Sequence, residues 1–172
     1  MTELVHFQLT QLPACRLVGK ELRVPQKTEE NPIPAFWSRC FAEDIFTPLE
    51  QMKDSLFPEA LFDAPDAYLD WMGDMEPDGS WCCLVGMVMK PDAVPPEGYA
   101  YRDLPACTLA LGQVRGTEPE IYADSEALIM PRVRETGRLP GGFMMEVYAC
   151  PRFTTPDPVD GTVILDCYLQ LK

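Results

Sequence analysis

The four residues Leu12-Pro13-Ala14-Cys15 return later in the chain as Leu104-Pro105-Ala106-Cys107, and each copy opens a strand-like stretch. The first continues Arg16-Leu17-Val18-Gly19, then Leu22 and Val24; the second continues Thr108-Leu109-Ala110-Leu111-Gly112, then Val114. Four matching residues arise easily by chance, so the weight of the echo lies in the pattern of elements beyond each copy. After the first strand comes a loop rich in Pro and Glu. Ile33, Trp37, Cys40, Phe41 and Ile45 then recur at three- and four-residue steps, the period of one helical face. Pro48 interrupts that face, and Thr47-Pro48-Leu49-Glu50 has the form of a new helix start. Threonine would cap, proline would take the first helical position, and glutamate would reach back to the cap. Thr117-Glu118-Pro119-Glu120 has the same form and opens a run with Ile121, Ser125, Leu128 and Ile129, which Pro131 should end or bend.

Two strand candidates come after each helix. In the first half they are residues 67–71 and 81–90, separated by the turn-prone Glu76-Pro77-Asp78-Gly79. In the second they are residues 143–150 and 162–171, separated by Thr155-Pro156-Asp157-Pro158 and the Asp160-Gly161 turn. Both halves therefore read strand, helix, strand, strand, with the proline-rich segment 91–98 joining them. The pseudo-repeats span roughly 5–91 and 99–172 within a single domain, 1–172.

Composition narrows the function. Lys plus Arg total 14 against 27 Asp plus Glu, a formal net charge of −13, which repels a phosphate backbone and excludes direct nucleic-acid binding by electrostatic attraction. The same acidity suits cationic ligands and equally serves to keep a protein in solution. No apolar run approaches the roughly 20 residues that span a bilayer, and residues 1–15 have neither the basic start nor the apolar core of a secretory signal. The expectation is a cytoplasmic protein with no membrane partner. The seven cysteines are odd in number, and Cys82, Cys83, Cys150 and Cys167 lie in apolar surroundings, as reduced core residues do. With no Cys-x-x-Cys spacing and His6 as the only histidine, neither a metal site nor a cofactor is expected.

Several stretches carry a resemblance: Val18-Gly19 in the first strand, Ile33-Pro34-Ala35-Phe36-Trp37 at the first helix, Val85-Gly86-Met87-Val88 late in the first half, Ile129-Met130-Pro131, and Phe143-Met144-Met145-Glu146-Val147-Tyr148. In order and spacing the chain resembles the GyrI-like family, the effector-binding domain of certain AraC- and MerR-type bacterial regulators, a duplicated strand-helix-strand-strand (SHS2) unit. The last stretch is the most telling, because the family places a glutamate there followed two residues later by a tyrosine. The resemblance implies an α+β fold of duplicated β-α-β-β units forming an antiparallel sheet, with helices packed on one side and a ligand cleft between the halves. It departs at Ile129, where the family tends to have tryptophan, which leaves the lining of the pocket open. No helix-turn-helix pattern accompanies these elements, so a standalone binding unit is expected.

Glu146 is the anomaly of its strand. Alternate side chains point to opposite faces, so Met144, Glu146, Tyr148 and Cys150 share one face and Phe143, Met145, Val147 and Ala149 the other. A carboxylate on an apolar face is costly unless paired, neutralised or met by a ligand. A partly exposed position at a strand end, or a neighbouring hydroxyl, would also satisfy it. The resemblance implies a role in attracting cationic, often aromatic, compounds. Trp37, Trp71, Trp81, Tyr99, Tyr101, Tyr148 and Tyr168 are candidate walls for a flat ligand, although for any one of them core packing is the commoner role. Tyr148 shares the Glu146 face, Trp81 and Tyr168 lie on strands expected beside it, and Trp37 fits pure core as readily. Met144, Met87 and Met89 would supply an adaptable lining.

His6 has no serine or cysteine partner in sight, Cys82-Cys83 point to opposite faces, and Gly141-Gly142 lacks the lysine and helix of a phosphate cradle. No catalytic group stands out except Glu146. The leading expectation is a sensing or sequestering module of transcription-regulator or multidrug-binding type, taking lipophilic compounds, cationic aromatic ones among them. The resemblance also implies two alternatives: hydrolysis of cyclopropane-bearing xenobiotics with Glu146 as general base on water, and inhibition of DNA gyrase by the acidic surface.

Overall fold

The computed structural model describes residues 1–56 and 67–172. Its elements run β1 (Glu3–Leu12), β2 (Cys15–Val24), α1 (Ile33–Ala42), α2 (Phe46–Glu50), β3 (Tyr68–Gly73), β4 (Trp81–Met89), β5 (Ala100–Leu104), β6 (Cys107–Gly116), α3 (Glu120–Glu135), β7 (Pro140–Tyr148) and β8 (Val163–Leu171). The strands form one antiparallel sheet in the order β1-β6-β8-β7-β3-β4-β2-β5. Replacing every strand by its counterpart in the other half reproduces this order read backwards. A pseudo-two-fold relation therefore passes between β3 and β7, and duplicated units build the sheet.

The three helices pack on one side. Phe36, Cys40, Ile45, Phe46 and Leu49 from the α1–α2 region close over Val18, Cys83, Val85, Met87 and Met89. Ile121, Ile129 and Val133 of α3 close over Ala110, Val114, Leu165 and Cys167. The other face is sealed differently. Its buried cluster holds no helical residue and joins Leu12, Cys15 and Leu17 to Leu104, Leu109 and Leu111, from strands at both ends of the order. The sheet curls until that face closes on itself, which is why both sides of its central strands are apolar.

Two glycines in the resemblance stretches have a backbone reason. Gly19 and Gly86 face one another in the β2–β4 register. A Cβ on Gly19 would stand 1.9 Å from the Val85 carbonyl oxygen, and one on Gly86 2.0 Å from that of Val18. Only a residue without a side chain allows the two strands to approach so closely. In the predicted hairpin Gly79, at φ +79°, donates its N–H to the Glu76 carbonyl at 2.8 Å.

The structure corrects several expectations. β1 and β5, both edge strands, were not expected. β1 is rich in polar residues and pairs with β6 of the other half, and β5 with β2 of the first, so their strand character depends on distant partners. Thr47 does not cap: it lies inside α2, and its hydroxyl donates to Asp44 Oδ1 at 2.8 Å. Thr117 meets Glu120 side chain to side chain, at 3.3 Å, ahead of a helix whose first flanking residue is Pro119. α3 runs on through Pro131 to Glu135; the proline is exposed, so water can serve the carbonyl its missing N–H leaves free. Cys150 lies beyond β7 and is exposed, not core. His6 sits exposed within β1. Among the described residues no helix is long and apolar enough to cross a membrane.

Candidate functional site

A cavity of about 730 Å³ opens on the helix side of the sheet, over the place where β3 meets β7, and both halves line it. α1 contributes Ile33, Trp37 and Phe41, four residues apart and so on one stripe. Phe36 and Cys40, on the adjacent stripe, face the sheet. The single apolar face read from the sequence is thus two faces, one for the core and one for the cavity. β3 and β4 add Tyr68, Asp70, Met72 and Trp81; the second half adds Glu118, Tyr122, Glu146, Tyr148, Phe153 and Thr154.

The aromatic walls brace one another. Trp37 meets Tyr148 edge to face at 4.9 Å, and Tyr148 meets Phe153 the same way at 4.8 Å. Tyr68 stacks on Phe46 with centroids 3.7 Å apart and rings 8° from parallel, while its hydroxyl donates to Glu50. Such contacts fix the rings before any ligand arrives and leave flat faces available for stacking.

At the floor stand two carboxyl groups. Asp70 of β3 and Glu146 of β7 are direct partners in the antiparallel register, and both are buried, at 1% and 7% exposure. The echo of the sequence relates them. Aligning Arg16 with Thr108 carries Met89 onto Leu171 through the β2–β4 and β6–β8 registers. This places Gly86 on Tyr168, Leu69 on Met145 and hence Asp70 on Glu146. The two acids are the same position of the two units, brought face to face at the pseudo-two-fold axis.

Neutral donors hold the pair. The Trp37 indole N–H donates to Asp70 Oδ2 at 2.9 Å, and the Tyr148 hydroxyl lies 3.0 Å from the same oxygen and 3.2 Å from Glu146 Oε2. Among the described residues Asp70 Oδ1 is buried with no hydrogen-bond partner. Burial raises the Glu146 carboxyl well above the usual carboxylate range and the Asp70 charge raises it further, against the Tyr148 and Ser125 hydroxyls, which favour its ionised form. Asp70 is raised by burial too, but Trp37 and Tyr148 pull it back, so Glu146 is the stronger proton holder. Burial also pushes up Tyr148, as it does Tyr122, whose hydroxyl donates to Glu118 Oε2 at 2.6 Å.

Of the residues singled out by sequence, Glu146, Tyr148, Trp37 and Trp81 line the cavity. Trp37 is not pure core, since its N–H serves Asp70. Met144 lines an adjoining pocket of about 350 Å³, which shares Met72 and Trp81 with the main one. Trp71 and Tyr168 are brought elsewhere: they belong to the core of the helix-free face. The register explains it, because Glu146 pairs with Cys167, so Tyr168 points the opposite way with Met145. Met87 and Met89 are sealed beneath α1 and α2. Tyr99 donates its hydroxyl to the Ile45 carbonyl at 2.7 Å, and Tyr101 lies under the Arg16 guanidinium. Asp70, Tyr68, Phe41, Tyr122 and Phe153 were missed. Asp70 left a signal, because Tyr68-Leu69-Asp70-Trp71-Met72 and Met144-Met145-Glu146-Val147-Tyr148 each set one acid amid four apolar or aromatic residues.

No family model matches this chain, nor does any curated protein. Solved structures share its fold. A Staphylococcus aureus protein described as a putative bacterial transcription regulation protein is 16% identical over 97% of this chain and 98% of its own, with a TM-score of 0.69. SAV2435, solved bound to tetraphenylphosphonium, is 16% identical over 98% of this chain and 94% of its own, with a TM-score of 0.70. The C-terminal domain of EcmrR is 16% identical over 97% of each chain, with a TM-score of 0.53.

Proposed function

We propose that this protein is an effector-binding module of GyrI-like type that takes lipophilic organic cations with aromatic groups into the cleft between its halves, for sensing or sequestration. The observation that carries the reading is a buried acid pair at the floor of a large, aromatic-walled cavity. Apolar and aromatic walls supply affinity through excluded water and stacking on ring faces, and a cation gains further from their quadrupoles. The carboxyl pair supplies the preference for positive charge, since a buried carboxylate attracts a cation and gives a neutral compound of the same shape no such gain. Trp37, Trp81, Tyr148 and Glu146 are the ligand-contacting residues of this reading, with Asp70, Tyr68 and Phe41 added by the geometry. That SAV2435, of like fold, was solved with tetraphenylphosphonium supports the choice of ligand class.

Calorimetry with tetraphenylphosphonium and neutral triphenylphosphine oxide tests it. The cation should bind at least tenfold tighter, and Asp70→Asn with Glu146→Gln should remove most of that margin while sparing the neutral compound. Equal loss for both ligands would end the charge-selection role. The burial that raises Glu146 also favours the hydrolase reading, because a carboxyl poised near neutrality can serve as a general base. Adding a cyclopropane-bearing alkylator to the same incubations separates the two: a binder returns it unchanged and a hydrolase returns it ring-opened.

A further inference from the structure

The oxygens at the cleft floor outnumber the hydrogens available to join them. Tyr148 Oη stands within hydrogen-bond reach of both Asp70 Oδ2 and Glu146 Oε2, and a phenol has one hydrogen to give. With both acids ionised, one of these two contacts would set an oxygen lone pair against another in a buried site, which is strongly unfavourable. One added proton on either acid resolves it. Placed on Glu146, it would let Glu146 donate to Tyr148 Oη and Tyr148 donate to Asp70 Oδ2, which also accepts from the Trp37 indole. Trp37 and Tyr148 hold Asp70 toward its ionised form, and the burial of Glu146 beside that charge, only partly offset by the Tyr148 and Ser125 hydroxyls, makes Glu146 the proton holder. Among the described residues Asp70 Oδ1 is buried without a hydrogen-bond partner, so the residue that lines the cavity carries carboxylate charge left unsatisfied.

We propose that Asp70 and Glu146 act through Tyr148 as one unit holding a single proton, and that an aromatic monocation enters the cleft in exchange for that proton. The ligand class is that of the reading above, on which this rests; the exchange and the role of Asp70 go beyond it. The only bond that changes is an O–H bond: Glu146 gives its proton to water or a buffer base, the cation supplies the compensating charge, and the site's net charge is the same before and after. The other groups facing the pair do not take part. Tyr148 and Tyr122 are pushed up by burial and stay protonated, as do Cys83 of β4 and Cys167 of β8. Glu118 lies exposed at the mouth with Tyr122 as donor, and Glu50 accepts from Tyr68 at the α2 side. Exchange makes such a site discriminate by pH as well as by charge. A cation is held where protons are scarce and let go where they are plentiful.

Two measurements on the full chain test this separately from the ligand reading. Calorimetric titration of tetraphenylphosphonium near neutral pH, in buffers of different ionisation enthalpy, should show close to one proton released per cation, and none with triphenylphosphine oxide. Affinity should rise with pH by up to roughly tenfold per unit until Glu146 is ionised in the free protein, then level off. Glu146→Gln should flatten that slope. Infrared difference spectra of the free protein against Glu146→Gln should show a protonated carboxyl band near neutrality that the cation bleaches. Tight binding of the cation with no proton released overturns the exchange and leaves the ligand class standing. Failure of every cation to bind overturns both. Absence of the carboxyl band overturns the shared proton whatever the binding data show.

Discussion

The two halves of this molecule share an acid at the axis and differ in how they fill the sheet farther out. Where they meet, each places an acid at the same position, Asp70 in one and Glu146 in the other. Further out, the facing glycines Gly19 and Gly86 of the first half correspond to Leu111 and Tyr168 of the second, which are likewise register partners. Glu21 and Leu84 correspond in the same way to Gln113 and Asp166. Packing asks only that volume be filled and polar groups be satisfied, so two copies of one unit can meet it with different residues. The pair of acids is harder to explain by packing, because an apolar pair of similar size would be cheaper to bury. Within the candidate site only the acid pair is symmetric; its walls differ between the halves, Tyr68 corresponding to Met144 and Met72 to Tyr148.

Three perturbations probe that division. The largest effect should come where the second half carries an acid and the first carries leucine. Asp166 is fully buried, paired with the Arg152 guanidinium and accepting from Gln113 Nε2 at 3.2 Å. Arg152→Ala should cost about 4 kcal/mol in urea unfolding by stranding that charge, and adding Asp166→Leu, the first half's residue, should recover most of it. A single-variant loss below about 1 kcal/mol would show that the pair is not structural. Next comes Gly86→Ala, whose methyl would meet the Val18 carbonyl oxygen across the strands. It should cost about 3 kcal/mol, near the top of the range for overpacking, and near-wild-type stability would mean that the β2–β4 approach is loose.

The smallest effect concerns the axis itself. Both carboxyls are raised in the folded protein, so the native state binds more protons than the unfolded chain. The contribution of the pair is therefore most favourable below the unfolded carboxylate range, at about pH 4, and is lost as pH rises through that range to the raised folded values. Between about pH 5 and 6.5 the titration of Glu146 should cost roughly 2 kcal/mol of stability, and Glu146→Gln should flatten the slope. A wild-type profile that parallels the variant's would mean that Glu146 titrates normally. This is the opposite of what an ion-paired carboxylate does, so the sign alone is informative.

Much of this was legible beforehand. The Leu-Pro-Ala-Cys echo, the strand-helix-strand-strand order of each half and the six strands of those units were there to be read, with ends displaced by a residue or three. Glu146 stood out because an acid in the middle of an apolar strand is a local violation that needs no structure to notice. Asp70 violates the same rule just as openly. It was passed over because its strand is short and because Trp71, beside it, draws attention to the wrong face. Trp71 and Tyr168 failed as wall residues for a parity reason: whether a strand residue faces the cleft turns on a register that a one-residue shift inverts. β1 and β5 escaped notice because an edge strand is stabilised by a partner far off in the chain and needs no apolar face of its own.

By itself, then, the order of residues determined what is local or periodic: the repeat, the helix stripes, the turns, and the presence of an acid where an acid is expensive. Tertiary structure alone decided what depends on pairing across the halves. It set Asp70 opposite Glu146, placed one tyrosine hydroxyl between them, and divided the aromatic residues between cleft and core. Strand alternation says that neighbours in sequence face apart, but only the hydrogen-bonded register says which side is in and what stands across.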